Sequence, residues 1–196
     1  MPIIIPRKTR TLVGTPCRSL GIDPGTSGSA ALLDGLRVER VVTWTAKAAT
    51  VYDSKHPAPI KLPIGTLWAA LQLVCLGEVE AIALEFVRQL PGRSHGEVLV
   101  ESAGYVRAWL DSMQLPEPQR PTSGDWRMDV LGVREASGAQ ACEMAAVAAY
   151  DGLPAPGGRE HVVWGLERSG ATLTQIPGHG AESVAMALHA QGWRLA

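Results

Sequence analysis

The sequence predicts an α/β layered domain. Three observations carry this. Residues 18–45 hold three short apolar runs separated by turn residues, residues 80–87 hold one nearly unbroken apolar run, and apolar residues recur at helical spacing between and after them. A meander of strands, a helix, a buried strand and further helices is the element pattern of a layered α/β domain.

The first run, Arg18 to Asp23, breaks at Pro24-Gly25 and resumes through Gly28-Ser29-Ala30-Ala31-Leu32-Leu33. Asp34-Gly35 then reads as a tight hairpin turn, because both central turn residues must reach positive φ. The third strand, about 36–45, alternates Val38 with Arg37 and Glu39 and continues as a β-branched run. A polar loop through Lys55-His56-Pro57-Ala58-Pro59 follows. Ile64, Leu67, Trp68, Leu71 and Val74 are spaced for a helix that Gly77 can end. Glu80 to Val87 suits a strand buried on both faces beside a parallel neighbour. The loop Arg88–Ser94 leads to a helix over about 95–112, and a proline-rich connector leads to a short helix at about 125–131. An alanine-rich helix over 139–150, a hairpin within 161–176 and a last helix over 180–191 complete the pattern. Residues 1–17 read as a flexible basic arm, a plain tail or a segment that touches nucleic acid, ahead of one domain over 18–196.

Composition bounds the function. At 196 residues, 46% of them hydrophobic, the chain can bury a substantial core and is not a disordered polymer. No apolar run approaches the roughly 20 residues that span a bilayer. Met1-Pro2-Ile3-Ile4-Ile5 is too short for a secretory signal and precedes its basic residues, so a cytoplasmic protein of a bacterial or phage-infected cell is expected. Cys17, Cys75 and Cys142 form no C-x-x-C pair and read as reduced thiols. The net charge of −1 is not that of a strongly basic nucleic-acid binder, so phosphate contacts must be arranged locally. Arg7, Lys8, Arg10 and Arg18 stand in the first twenty residues with no acid among them.

Two spacings carry chemistry. Asp23 closes a strand beside small residues, where it either caps the Pro24-Gly25 turn or offers a carboxylate to a cation. Glu85 closes the later buried strand, and the two strand ends can meet at one edge of a sheet. His179 and Glu182 stand at i and i+3 at the start of the last helix, on one face, with small residues between. Glu182 also suits the helix dipole and His179 a capping position. Three carboxylates and an imidazole suit octahedral Mg²⁺ or Mn²⁺, and two such ions about 3.5–4 Å apart can drive phosphodiester hydrolysis.

Gly21-Ile22-Asp23-Pro24-Gly25 resembles the first motif of RuvC-type Holliday junction resolvases, in the RNase H-like superfamily. Ala81-Ile82-Ala83-Leu84-Glu85-Phe86-Val87 resembles their second acidic motif, and Ser94-His95 through Ala103-Gly104-Tyr105 the helix after it. His179-Gly180-Ala181-Glu182 through Leu188 is similar to their C-terminal acid-x-x-acid helix, which in some members begins with histidine. The likeness runs from about Ser19 to His189. It implies an RNase H-like fold, a mixed five-stranded sheet flanked by helices. It also implies a homodimeric Mg²⁺-dependent endodeoxyribonuclease that cuts two symmetry-related strands of a four-way junction. Asp23, Glu85, His179 and Glu182 would be the catalytic and metal-binding residues, with two ions. Phe86 would lie near the junction centre, where it either stacks on a base or packs in the core.

The pattern departs from the family at two places. The last motif is His-x-x-Glu where many members have Asp-x-x-Asp, and no lysine stands near Ser137–Cys142. Arg127 or Arg134 is the candidate replacement for that positive charge, and Arg88 and Arg93 are further candidates for DNA contact. Rival readings stay open. These are an RNase H-like nuclease acting on other branched DNA or on RNA–DNA hybrids, a non-catalytic junction binder, and a sugar-kinase or actin-like phosphate loop at Gly21–Ser27. The last would need a second such domain, for which the chain has no second Asp-Gly-Thr loop.

Overall fold

The computed structural model describes residues 12–35, 37–53, 60–63, 67–74, 77–86, 96–131, 134 and 178–195. Arg88, Arg93, the helix expected over 139–150, the hairpin expected within 161–176, and His56, His95 and His161 lie outside the described residues.

The expected meander forms. Strands β2 (Arg18–Asp23), β3 (Gly28–Asp34) and β4 (Arg37–Trp44) follow β1 (Leu12–Val13) and pair antiparallel in sequence order. Asp34 pairs with Arg37, so the hairpin turn is centred one residue later than expected, with Gly35 at φ 57 as its first central residue. The buried run becomes β7 (Ala81–Leu84), which joins β2 in parallel.

The sheet is mixed, as the sequence implies, but it has six strands where five were expected. The two unforeseen strands, β5 (Ala48–Asp53) and β6 (Ile60–Pro63), extend the edge beyond β4 and give the order β6-β5-β4-β3-β2-β7. Their short, mixed segments carry little β signal alone, and pairing to a preformed neighbour supplies the preference. Arg40 on β4 fastens this addition by an ion pair with Asp53 and a 2.9 Å hydrogen bond to the carbonyl of Leu73. At the opposite edge, residues 119–121 run beside β7. Leu84 N donates to Gln119 O at 2.9 Å, and Phe86 N donates to Pro121 O at 2.8 Å.

Strand alternation sorts side chains to two faces. Leu20, Ile22, Leu32, Val42, Trp44, Ile82 and Leu84 form one core with helices α1 (Leu67–Val74) and α2 (Gly96–Ser112), including Leu71, Val106 and Trp109. The alternate residues of β2, β3 and β7 face a later helix. After α3 (Ser123–Trp126) and a π-helical turn (Arg127–Leu131), that helix is α4 (Gly178–Ala190), and it packs on β2, β3 and β7. None of these helices is long and apolar enough to cross a membrane.

Gly21 is the point of closest approach. A Cβ added there would lie 2.0 Å from the carbonyl oxygen of Ser183 and 2.4 Å from the nitrogen of Ala187. Both are backbone atoms of α4, which cannot swing aside as a side chain would. The hydroxyl of Ser29 on β3 fixes the same helix by hydrogen bonds with the carbonyl of His179 and the hydroxyl of Ser183. At the other end of α4, Gln191 is buried. Its amide nitrogen donates to Ser19 Oγ at 2.7 Å and to Gly35 O at 2.8 Å. Leu12–Val13, part of the segment expected to be a flexible arm, pair antiparallel with β8 (Arg194–Leu195).

Candidate metal centre

The register of β2 and β7 builds the first half of the site. Ile22 pairs with Leu84 in parallel, and Glu85 N donates to Ile22 O at 3.1 Å. Asp23 and Glu85 therefore stand side by side just past the carboxyl ends of adjacent parallel strands, where open α/β sheets collect ligands. Alternation turns both toward the α4 face.

α4 supplies the other half. It begins at Gly178, so His179 lies within its first turn and is not the capping residue. His179 Nδ1 is 2.9 Å from Asp23 Oδ2 and 3.6 Å from Glu182 Oε2. One ligand atom from each of Asp23, His179 and Glu182 falls within 4.8 Å of the others. Asp23 and Glu182 are largely sheltered, with 13% and 16% of their side chains exposed, whereas His179 is 55% exposed. Two carboxylates and an imidazole converging in this way fit a hard or borderline divalent cation.

Glu85 stands beside this triad and outside it. Its Oε1 accepts a hydrogen bond from Trp126 Nε1 at 3.3 Å. Burial first, and the nearby charge of Asp23 second, push its carboxyl from the ordinary value up to about 7. The Trp126 hydrogen bond opposes that rise. Glu182 gives its other oxygen to Arg127, whose Nη2 is 2.7 Å from Oε1. Arg127 also lies over the Trp126 ring, 4.9 Å from its centroid.

Thr122 and Asp125 explain why these two residues arrive here. Thr122 caps α3, and the Asp125 carboxylate returns to the Thr122 nitrogen at 2.9 Å, a capping box. Trp126 ends this short helix, and Arg127 follows it directly. The Thr-x-x-Asp signature is in the sequence and would have located this helix start. That Trp126 bonds Glu85, and Arg127 bonds Glu182, depends on how the connector after α2 lies along β7, which no local spacing encodes.

The structure therefore brings Asp23, His179 and Glu182 together, sets Glu85 alongside, and gives Arg127 to Glu182. Arg134 is exposed. Phe86 is 37% exposed, not packed in the core, and Arg120 lies over its ring at 5.0 Å. Arg120 was not among the expected contact residues. Only the folded edge beside β7 pairs it with Phe86.

The hydrogen bond to Asp23 raises the pKa of His179 against the opposing effect of burial, which favours a proton on the ring. A cation at Nδ1 must displace that proton. Mn²⁺ affinity is therefore expected to climb about tenfold per pH unit below the raised His179 pKa and to level off above it. Calorimetry in buffers of different ionisation enthalpy is expected to show proton release on binding that declines as pH rises.

No family model matches the chain, and no curated protein sequence matches it.

Proposed function

We propose that this chain is a divalent-metal-dependent DNA endonuclease of the RNase H-like type, acting on branched DNA and foremost on four-way junctions as a homodimer. The observation that carries the reading is the convergence of Asp23, His179 and Glu182 on one point, with Glu85 beside them. These residues come from three separate elements, and two of them end adjacent parallel strands. A three-stranded antiparallel meander whose first strand is joined in parallel by a later one also agrees with an RNase H-like core.

Asp23, His179 and Glu182 would hold Mg²⁺ or Mn²⁺, with Glu85 at its flank. A divalent ion there supplies an activated water and stabilises charge on the phosphate. The chain's own residues do the rest. His179 hands its Nδ1 proton to solvent when the site fills, and Arg127 keeps Glu182 aimed. Trp126, fully buried, holds Glu85 Oε1 through its indole nitrogen. The Arg120–Phe86 pair, beside Glu85 at the sheet edge, offers a cation and a ring face to a nucleotide next to the scissile phosphate.

A panel of fork, flap, RNA–DNA hybrid and four-way substrates with Mg²⁺ and Mn²⁺ tests this. Paired symmetric cuts in the four-way substrate are expected. Asp23→Asn is expected to lower cleavage at least about a hundredfold, the upper range for losing even an outer-shell metal partner. Stronger cutting of the hybrid would move the protein to another nuclease of the same type. Equal activity of Asp23→Asn would end the assignment of the site. Junction binding without cleavage under any metal would leave a binding protein.

A further inference from the structure

We infer that the Arg127 guanidinium stands in for a second cation, so that the site takes one divalent ion, held by Asp23, His179 and Glu182. This deepens the reading of the cluster as a nuclease metal centre, rests on it, and revises the count of two implied by family likeness.

Glu182 divides its oxygens. Oε2 faces His179 Nδ1 at 3.6 Å, the atom that Asp23 Oδ2 also approaches at 2.9 Å. Oε1 points the other way and meets Arg127 Nη2 at 2.7 Å. A second ion placed between Glu182 and Glu85 would need that oxygen and one from Glu85. Arg127 already occupies Glu182 Oε1, and Trp126 Nε1 occupies Glu85 Oε1, which leaves such an ion only the other oxygen of Glu85. The two donors support one another, because Arg127 lies over the ring whose edge bonds Glu85. Trp126 is 0% exposed and cannot turn away without opening the core.

The side-chain charges agree. Asp23, Glu85 and Glu182 bring three negative charges when ionised, and Arg127 brings one positive. The remainder of two is the charge of one divalent ion. A guanidinium is always charged and planar, so it can hold a carboxylate oxygen and later a phosphate oxygen without leaving its ring support. Arg127 also opens the π-helical turn 127–131. Such widened turns are frequent at functional sites. Arg127 is a positioning residue here, acting through Glu182.

Counting bound Mn²⁺ tests this without DNA. Calorimetric titration and electron paramagnetic resonance of free Mn²⁺ at pH 8 are expected to give one ion per chain for the parent and for Arg127→Lys. Arg127→Gln, which keeps the polar shape but frees Glu182 Oε1, is expected to bind two ions. Two ions on the parent would overturn the inference, as would a count of one for a folded Arg127→Gln. If that variant does not fold, the parent's count decides alone. No ion on the parent, or an unchanged count for Asp23→Asn, would overturn the metal-centre reading itself.

Discussion

Glu85→Gln is expected to make the metal-free protein more stable while removing the cleavage activity proposed for it. Glu85 is pushed up to about 7, by burial first and by Asp23 second. An unfolded chain releases the Glu85 proton near pH 4.5, but the folded chain keeps it until about 7. Between those values the folded state binds more protons, so stability falls as pH rises through the window and is level above it. Glutamine cannot ionise, still accepts from Trp126 Nε1, and escapes that loss. At pH 8 the variant is therefore expected to gain on the order of 2–3 kcal/mol over the parent, less than the full shift because Glu85 is partly exposed. The advantage is expected to vanish below about pH 4.5, where both side chains are neutral. Urea unfolding of both proteins in chelator across pH 4–9 measures it. Equal stability at every pH would show that Glu85 is not held in a destabilising place. Cleavage of a four-way junction by the variant is expected to fall at least about a hundredfold, as for loss of a metal partner. A site that resists its own ionised state until a counter-charge arrives is the expected trade of stability for function.

Gly21→Val is expected to abolish the cooperative fold, and Gly21→Ala to cost roughly 3 kcal/mol. The reason is contact between main chains. The hypothetical Cβ falls 2.0 Å from Ser183 O and 2.4 Å from Ala187 N. α4 must lift away from β2, and it carries His179 and Glu182 at its start. The alanine variant is therefore expected to lose Mn²⁺ affinity as well as stability, although position 21 touches no ligand atom of the triad. Urea denaturation and Mn²⁺ titration of the same preparation separate the two effects. Unchanged stability for alanine would mean that the helix seats less tightly on the strand than 2.0 Å implies.

Much of this arrangement is legible in the residues. Asp23 before Pro24-Gly25 and Glu85 after an apolar run mark strand ends, and alternation predicts which face each takes. His179 and Glu182 share a face by their spacing alone. β5 and β6 were not legible, because their segments are short and take their strand character from β4. The roles of Trp126 and Arg127 were not legible either. A tryptophan in a sequence reads as core, and Trp126 is core; its one polar atom finds Glu85 only after residues 119–121 have settled along β7. For Phe86 the residues left two readings open, base stacking or core packing. A lone aromatic after a buried strand suggests packing, yet the strand ends at Leu84 and the ring emerges under Arg120.

The small ladder between β1 and β8 has a practical bearing. Leu12–Val13 and Arg194–Leu195 lie together just beyond the last turn of α4, whereas His179 and Glu182 stand near its start. Thirteen residues of helix separate the two places by about 20 Å. Tethering the molecule to a bead or a sensor chip through either of these flanks would turn the acidic mouth outward. The long branched DNA proposed as its substrate could then reach it from solution.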